Sequence, residues 1–186
     1  MIWLYFFLSY LIGCIMFGFL LTKAFYHKDI RLQGSGNVGA RNAGRLYGKK
    51  AFVITFLGDA FKGGLVIFVG RYLDLTEPFQ LIGLALAIIG HLKPITLKFK
   101  GGKGISTFIG GIIVFEPLLA PMIVLAFLIT YPFTKSFTFS GLGAFLLIPV
   151  FLFINHDNLT IGALAAVILA LILLAHSENI KERLRK

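Results

Sequence analysis

The chain alternates long apolar runs with short basic islands, and no other feature limits its possible folds so strongly. Seven apolar segments can be drawn, at about residues 2–24, 51–69, 78–90, 105–115, 118–131, 137–153 and 159–175. Only 14% of the residues are charged and 58% are hydrophobic, whereas a soluble domain carries about 25% charged residues. A chain dissolved in lipid must close its backbone hydrogen bonds within each segment, so the runs predict helices. The fold expected is therefore all-α, a polytopic bundle of seven transmembrane helices forming a single domain over residues 1–186. A full crossing needs roughly 20 residues. The third, fourth and fifth segments fall short of that and must extend into the islands or meet an indented bilayer face.

The islands carry the orientation signal. Residues 26–50 hold Lys28, Arg31, Arg41, Arg45, Lys49 and Lys50; residues 91–104 hold Lys93, Lys98, Lys100 and Lys103; the tail holds Lys181, Arg183, Arg185 and Lys186. Lys135 falls in the remaining island on this side. The alternate loops contain one cation, Arg71, and four of the eight acids: Asp74, Glu77, Glu116 and Asp157. Cytoplasmic loops collect Lys and Arg, so the N-terminus is expected outside and the C-terminus in the cytoplasm. The first cation, Lys23, follows the first apolar run, which is the reverse of a signal peptide and predicts a retained helix. The net charge of +10 is thus absorbed by cytoplasmic loops and anionic lipid, with no call for nucleic acid. One cysteine, Cys14, leaves neither an intrachain disulfide nor a cysteine metal cluster.

The opposite loops are too short for a site, so chemistry belongs to the basic face. In the first island Gly34, Gly36, Gly39 and Gly44 are interleaved with Ser35, Asn37, Arg41, Asn42 and Arg45. Such a loop can approach a ligand with its backbone and is expected to form an anion nest of N–H groups. The spacing of Gly34, Gly36 and Gly39 also matches G-x-G-x-x-G, but without the strand and βαβ unit of a dinucleotide fold. In the second island Gly101, Gly102, Lys103 and Gly104 open an apolar helix after His91. Free N–H groups, a positive helix end and an ammonium then suit a phosphate or oxyanion. At the end of the last apolar run His176 and Asn179 stand three residues apart, on one helical face, with Glu178 and Ile180 beside them. Asp59 and Lys62, also three apart, can pair within the second helix, where charges face the bundle interior. His27 and His156 have no such context and are expected in surface loops.

Carboxylates on the basic face are few (Asp29, Glu178 and Glu182), which argues against a two-carboxylate mechanism and against a carboxylate-held metal. No cofactor is implied. There is no Gly-x-Ser-x-Gly elbow and no His-Glu-x-x-His. An alternative from another class is a transporter or channel for a phosphorylated anion. It could use the same loops, but the chain has no clear internal repeat, and its polar residues cluster on one side.

Taken together, the segments Gly34–Arg45, Gly90–Gly104 and His176–Ile180 resemble the bacterial acyl-phosphate-dependent glycerol-3-phosphate acyltransferases, in order, spacing and membrane context. The family pattern has Thr at the place of Arg41, Arg at that of Ser177, and Arg at that of Glu182. The resemblance implies an enzyme of the bacterial cytoplasmic (inner) membrane that transfers a fatty acyl group from acyl phosphate to the sn-1 hydroxyl of glycerol 3-phosphate. Lysophosphatidic acid and inorganic phosphate are the expected products, in the first step of phospholipid biosynthesis. The site residues expected to act in catalysis are Ser35, His91, Lys103, His176 and Asn179. Those expected to bind substrate or phosphate are Gly34, Gly36, Asn37, Gly39, Asn42, Arg45, Gly101, Gly102, Gly104 and Glu178.

Overall fold

A computed structural model describes residues 1–184; the side chains of Asn179 and of residues 182–184 lie outside the described set, as do Arg185 and Lys186. Asn179, Glu182 and Arg183 are therefore located only as backbone positions of the last helix. The described residues form helices and turns without a strand.

The first apolar run is not one helix. It is α1 (Ile2–Gly13) and α2 (Phe17–Tyr26), bent by 41° at a break over residues 14–16. A break inside lipid strands carbonyls that must find donors. Here Lys62 Nζ donates to Gly13 O at 3.0 Å and to Ile15 O at 2.7 Å, while Thr96 Oγ1 donates to Cys14 O at 3.1 Å. The second run begins earlier than its hydropathy suggests. Helix α3 (Ala40–Tyr72) takes up half of the first island and kinks at Gly48, whose φ of 84° suits glycine alone. Helices α4 (Glu77–Leu92), α5 (Ile105–Phe115) and α6 (Leu119–Thr134) follow. The sixth run is split at Leu146 into α7 (Phe137–Phe145) and α8 (Leu147–His156), and α9 (Leu159–Ala175) leads into the short α10 (Ser177–Leu184).

Length separates these helices. Three are long and apolar enough to cross a membrane (α3, α4 with its following turn, and α7–α8), or four if the bent α1–α2 pair is one span. Helices α5, α6 and α9 are shorter. With 11 residues, α5 rises only about 16 Å.

Small residues let the helices close on one another, as lipid-embedded packing requires. Gly63 of α3 lies against the Thr107 carbonyl of α5, and Gly110 of α5 against the Ala60 carbonyl of α3; a methyl at either would collide with backbone. The main apolar core joins α4, α5, α8 and α9 through Leu84, Ile88, Phe108, Ile112, Ile148 and Ile168.

The loops gather at two ends. At one, Arg71 donates to the Val114 and Phe115 carbonyls, and His156 Nδ1 lies 3.1 Å from Glu77 Oε2. His156 is thus no isolated loop residue: its Nε2 is 3.5 Å from Glu116 and its ring stacks on Phe115. At the other end the first and second islands meet, with Arg31 donating to the Leu97 carbonyl at 3.3 Å. The second island meets the end of α9 where Gly104 packs against Ile172.

Candidate active site

The first loop is held by its own side chains. Asn42, at the start of α3 and 2% exposed, donates from Nδ2 to the Gln33 and Asn37 carbonyls and accepts the Ser35 N–H on Oδ1. Asn37 Oδ1 accepts the Gly39 N–H at 2.8 Å, and the Gly36 N–H goes to the Gln33 carbonyl at 3.0 Å. These bonds revise two expectations. Asn42 and Asn37 shape the loop, their amide oxygens turned onto it. The N–H groups of Ser35, Gly36 and Gly39 face inward, so the loop is not the open nest that its glycines suggested. Gly34 and Gly36 sit at φ of 58° and 70°, the left-handed turns this closure needs. What remains outward is side-chain chemistry. Ser35 is exposed on the loop, and Arg41 and Arg45 are exposed one turn apart on α3. Arg41 donates to Thr138 Oγ1 of α7, a partner with no sequence signature.

The second loop lies flat on His91. The Gly102 N–H donates to the His91 carbonyl at 3.0 Å, and a Cβ on Gly102 would strike the His91 ring at Nε2. A Cβ on Gly101 would strike the carbonyls of His91 and Leu92. The two glycines are there for close approach. Gly104, at φ of 78°, then caps α5, so Lys103 stands one residue before that helix N-terminus. His91 itself is buried at 2% exposure, its Nδ1 3.3 Å from Thr107 Oγ1 and 3.7 Å from Asp59 Oδ1. It supports the loop from below.

His176 closes α9. It is buried, and its Nδ1 lies 2.8 Å from the Ile172 carbonyl. A carbonyl only accepts, so Nδ1 carries the proton and Nε2 keeps a lone pair. Burial pushes the imidazole below its ordinary value. The Ile172 bond opposes that shift, and the Lys103 and Arg41 charges add to it. The ring is neutral at pH 7 and lies within electrostatic reach of both basic islands. Glu178 is exposed on α10, and the Asn179 side chain lies outside the described residues. Among the described residues no group of three or more His, Cys, Asp or Glu could hold a metal.

This is the architecture of a membrane protein with one chemically equipped end, and comparison with known proteins narrows it. The chain belongs to the glycerol-3-phosphate acyltransferase family, whose sequence profile matches residues 3–186. It is 45% identical over 175 residues to glycerol-3-phosphate acyltransferase 1 of Bacillus cereus, covering 94% of each chain. It is 38% identical over 183 residues to glycerol-3-phosphate acyltransferase of Bartonella henselae, covering 96% of this chain and 86% of that one. Its fold matches the crystal structure of PlsY (YgiH), an integral membrane glycerol 3-phosphate acyltransferase, in its glycerol 3-phosphate form. There the TM-score is 0.90 at 30% identity, over 99% of this chain and 92% of that one. The lysophosphatidic acid form of the same protein gives a TM-score of 0.88.

Proposed function

We propose that this protein transfers a fatty acyl group to glycerol 3-phosphate, with acyl phosphate as donor and the sn-1 hydroxyl as acceptor. The observation that carries the mechanism is the buried His176, its Nδ1 turned to the Ile172 carbonyl, with burial and the Lys103 and Arg41 charges favouring the neutral ring. The acceptor oxygen attacks the acyl carbon while His176 Nε2 takes its proton. The bond from the acyl carbon to the phosphate oxygen breaks, and the electron pair leaves on inorganic phosphate. Lysophosphatidic acid is the other product. A general base of this kind contributes about 10²–10⁴-fold. Ser35, Arg45 and Lys103, with the N-terminus of α5, hold the donor phosphate and offset its growing charge. His176 also orients the acceptor; the sequence pairs Asn179 with it in this role, and that side chain lies outside the described residues. A mixed anhydride has a good leaving group, so charge stabilisation outweighs acid assistance.

We further propose that residues 1–186 act as one domain with seven membrane segments, counting the broken pairs α1–α2 and α7–α8 once each. The N-terminus lies outside, and the basic end and C-terminus face the cytoplasm of a bacterial inner membrane. The grouping of the basic islands at one end and of Glu77, Glu116 and Asp157 at the other supports that orientation. Both substrates then meet at the interface, one from the lipid and one from water.

The test is to mix purified protein in lipid with palmitoyl phosphate and glycerol 3-phosphate, and to measure phosphate release and lysophosphatidic acid. Turnover that needs the acceptor and drops about 10³-fold in Lys103→Ala is expected. A folded sample without turnover, but with counter-flow of a phosphorylated anion in vesicles, would instead identify a transporter.

A further inference from the structure

Beneath the second loop lies a chain of buried groups that the transfer chemistry does not touch. Asp59 and Lys62, both 1% exposed on α3, form an ion pair at 3.0 Å. Lys62 Nζ is saturated by that carboxylate and by the Gly13 and Ile15 carbonyls of the α1–α2 break. Asp59 is not saturated. Beyond the ion pair, neither carboxylate oxygen has a hydrogen-bond partner of good geometry among the described residues, so both can take a further donor. The groups facing them are the Phe17 N–H at the start of α2 and His91 Nδ1, 3.7 Å away on α4. Thr107 Oγ1 of α5 lies nearer to His91 Nδ1, at 3.3 Å, so the carboxylate acts on that atom through its charge and the hydroxyl by a hydrogen bond. On the far side of the His91 ring, at Nε2, lies the backbone of Gly102.

We infer that Asp59, held in place by Lys62, is a positioning residue for the Gly101–Lys103 loop and acts through the ring of His91. A carboxylate beside Nδ1 places the imidazole proton on that atom and fixes the ring orientation, as carboxylate partners do for histidines in metal sites. Nε2 is then an unprotonated acceptor pressed against the glycine loop. A flip of the ring, or a shift of the proton to Nε2, would set an N–H against backbone that leaves no room for a Cβ, and the loop would have to lift. Lys103 stands one residue beyond that contact, so its ammonium would move with the loop. Lys62 contributes twice, by anchoring Asp59 and by satisfying the carbonyls that the broken helix exposes. The ion pair thereby links the break in α1–α2 to the phosphate loop. This inference rests on the assignment of Lys103 to the donor phosphate.

The first measurement is made on the unaltered protein in lipid: ¹⁵N shifts of the histidine rings, with the His91 signals identified by their loss in His91→Gln. A proton on Nδ1 of His91 is expected; a proton on Nε2 overturns the inference. The second measurement compares Asp59→Asn with Asp59→Glu. Asp59→Asn is expected to raise the KM for acyl phosphate about tenfold, with kcat changed less, and to abolish the Nδ1 preference. Asp59→Glu should recover part of both. If Asp59→Asn lowers only the folded fraction, leaving KM and the ring tautomer unchanged, the pair is merely structural. If Asp59→Asn does not fold, the tautomer of the unaltered protein decides. Failure of the acyltransferase assignment would appear separately, as absent turnover in the unaltered protein whatever its tautomer.

Discussion

Two histidine–carboxylate clusters sit at opposite ends of this molecule, and they differ in what surrounds them. His91 and Asp59 are both sealed from solvent, with Lys62 behind the carboxylate and a glycine loop lying on the ring. His156 bridges Glu77 and Glu116 at a half-open surface, where the Glu77 side chain is 49% exposed. Asn155 Nδ2 adds a bond to Glu116 Oε2 at 2.9 Å. The second cluster also joins a histidine to carboxylates, but no glycine loop rests on it and no basic island adjoins it. Histidine beside carboxylate is not enough to mark a site. The mark is a structure that would move if the imidazole moved. Comparable substitutions at the two ends should therefore have unequal effects.

The largest difference is expected between the histidines themselves. His176→Gln should reduce kcat by about 10²–10⁴-fold if Nε2 is the base, with little change in thermal unfolding. The pH profile sharpens this. A base must be deprotonated, so activity falls as pH drops through its pKa. For His176 that pKa is lowered, chiefly by burial and further by Lys103 and Arg41. The acid limb should therefore lie below the ordinary imidazole range. It should move upward in Arg41→Ala, which removes one of the opposing charges. A limb that ignores both substitutions would transfer the base role to a substrate phosphate oxygen.

Glycines give the next contrast. Gly102→Ala would drive a methyl into the His91 ring. A displacement of about 1 Å at a binding loop can cost about 10²-fold in rate, and kcat/KM in the alanine variant should fall by that order. Gly143, within α7, has open space around its Cβ position. Gly143→Ala should leave kinetics unchanged and stabilise the helix by about 0.5–1 kcal/mol, read as a higher unfolding temperature.

How far the sequence foretold this molecule depends on the distance over which each feature is decided. Helical runs and the sorting of loops between two ends are local properties, and the islands around Gly34, Lys103 and His176 did converge. The breaks did not follow from hydropathy. Residues 2–24 read as continuous apolar sequence because the cause of the break, Lys62, lies on another helix. Glycine density in the first loop was legible, but not the direction of its N–H groups, since Asn42 claims them from within α3. Thr107 and Thr138, which meet His91 and Arg41, sit in apolar stretches where a lone threonine carries no signal. The i, i+3 spacing of Asp59 and Lys62 was visible and does form the pair. Its link to His91 depends on how α3 and α4 pack.

A smaller effect is expected where the two islands are latched. Arg31 binds both Asp29 oxygens, donates to the Leu97 carbonyl and lies over the Phe19 ring at 5.1 Å. Its side chain is 26% exposed and that of Asp29 22%, so solvent weakens the pair. Arg31→Ala should cost about 1 kcal/mol and raise KM slightly as the loops loosen. The Arg31 hydrogen bonds hold the Asp29 carboxyl below its usual range. A depressed carboxylate stabilises the fold fully above its unfolded pKa, and that contribution disappears as pH falls through the folded value. Thermal scans of the unaltered protein should thus lose stability at acid pH, and Asp29→Asn should flatten that part of the curve.

The smallest effect is expected at the end without glycine loops. His156→Phe keeps the stacking on Phe115, whose ring centroid is 5.6 Å away, and removes the polar contacts with Glu77 and Glu116. Exposed pairs of this type contribute about 0–1 kcal/mol. The two glutamates sit near each other without the imidazole, but water and the Asn155 amide remain to satisfy them. Unfolding temperature should therefore fall by a few degrees at most. Both KM values and kcat should stay within twofold, because a core of packed apolar side chains lies between this cluster and the basic loops. A kinetic defect in a fully folded His156→Phe sample would mean that the two ends are coupled, and the contrast between a supported loop and an unsupported clasp would have to be abandoned.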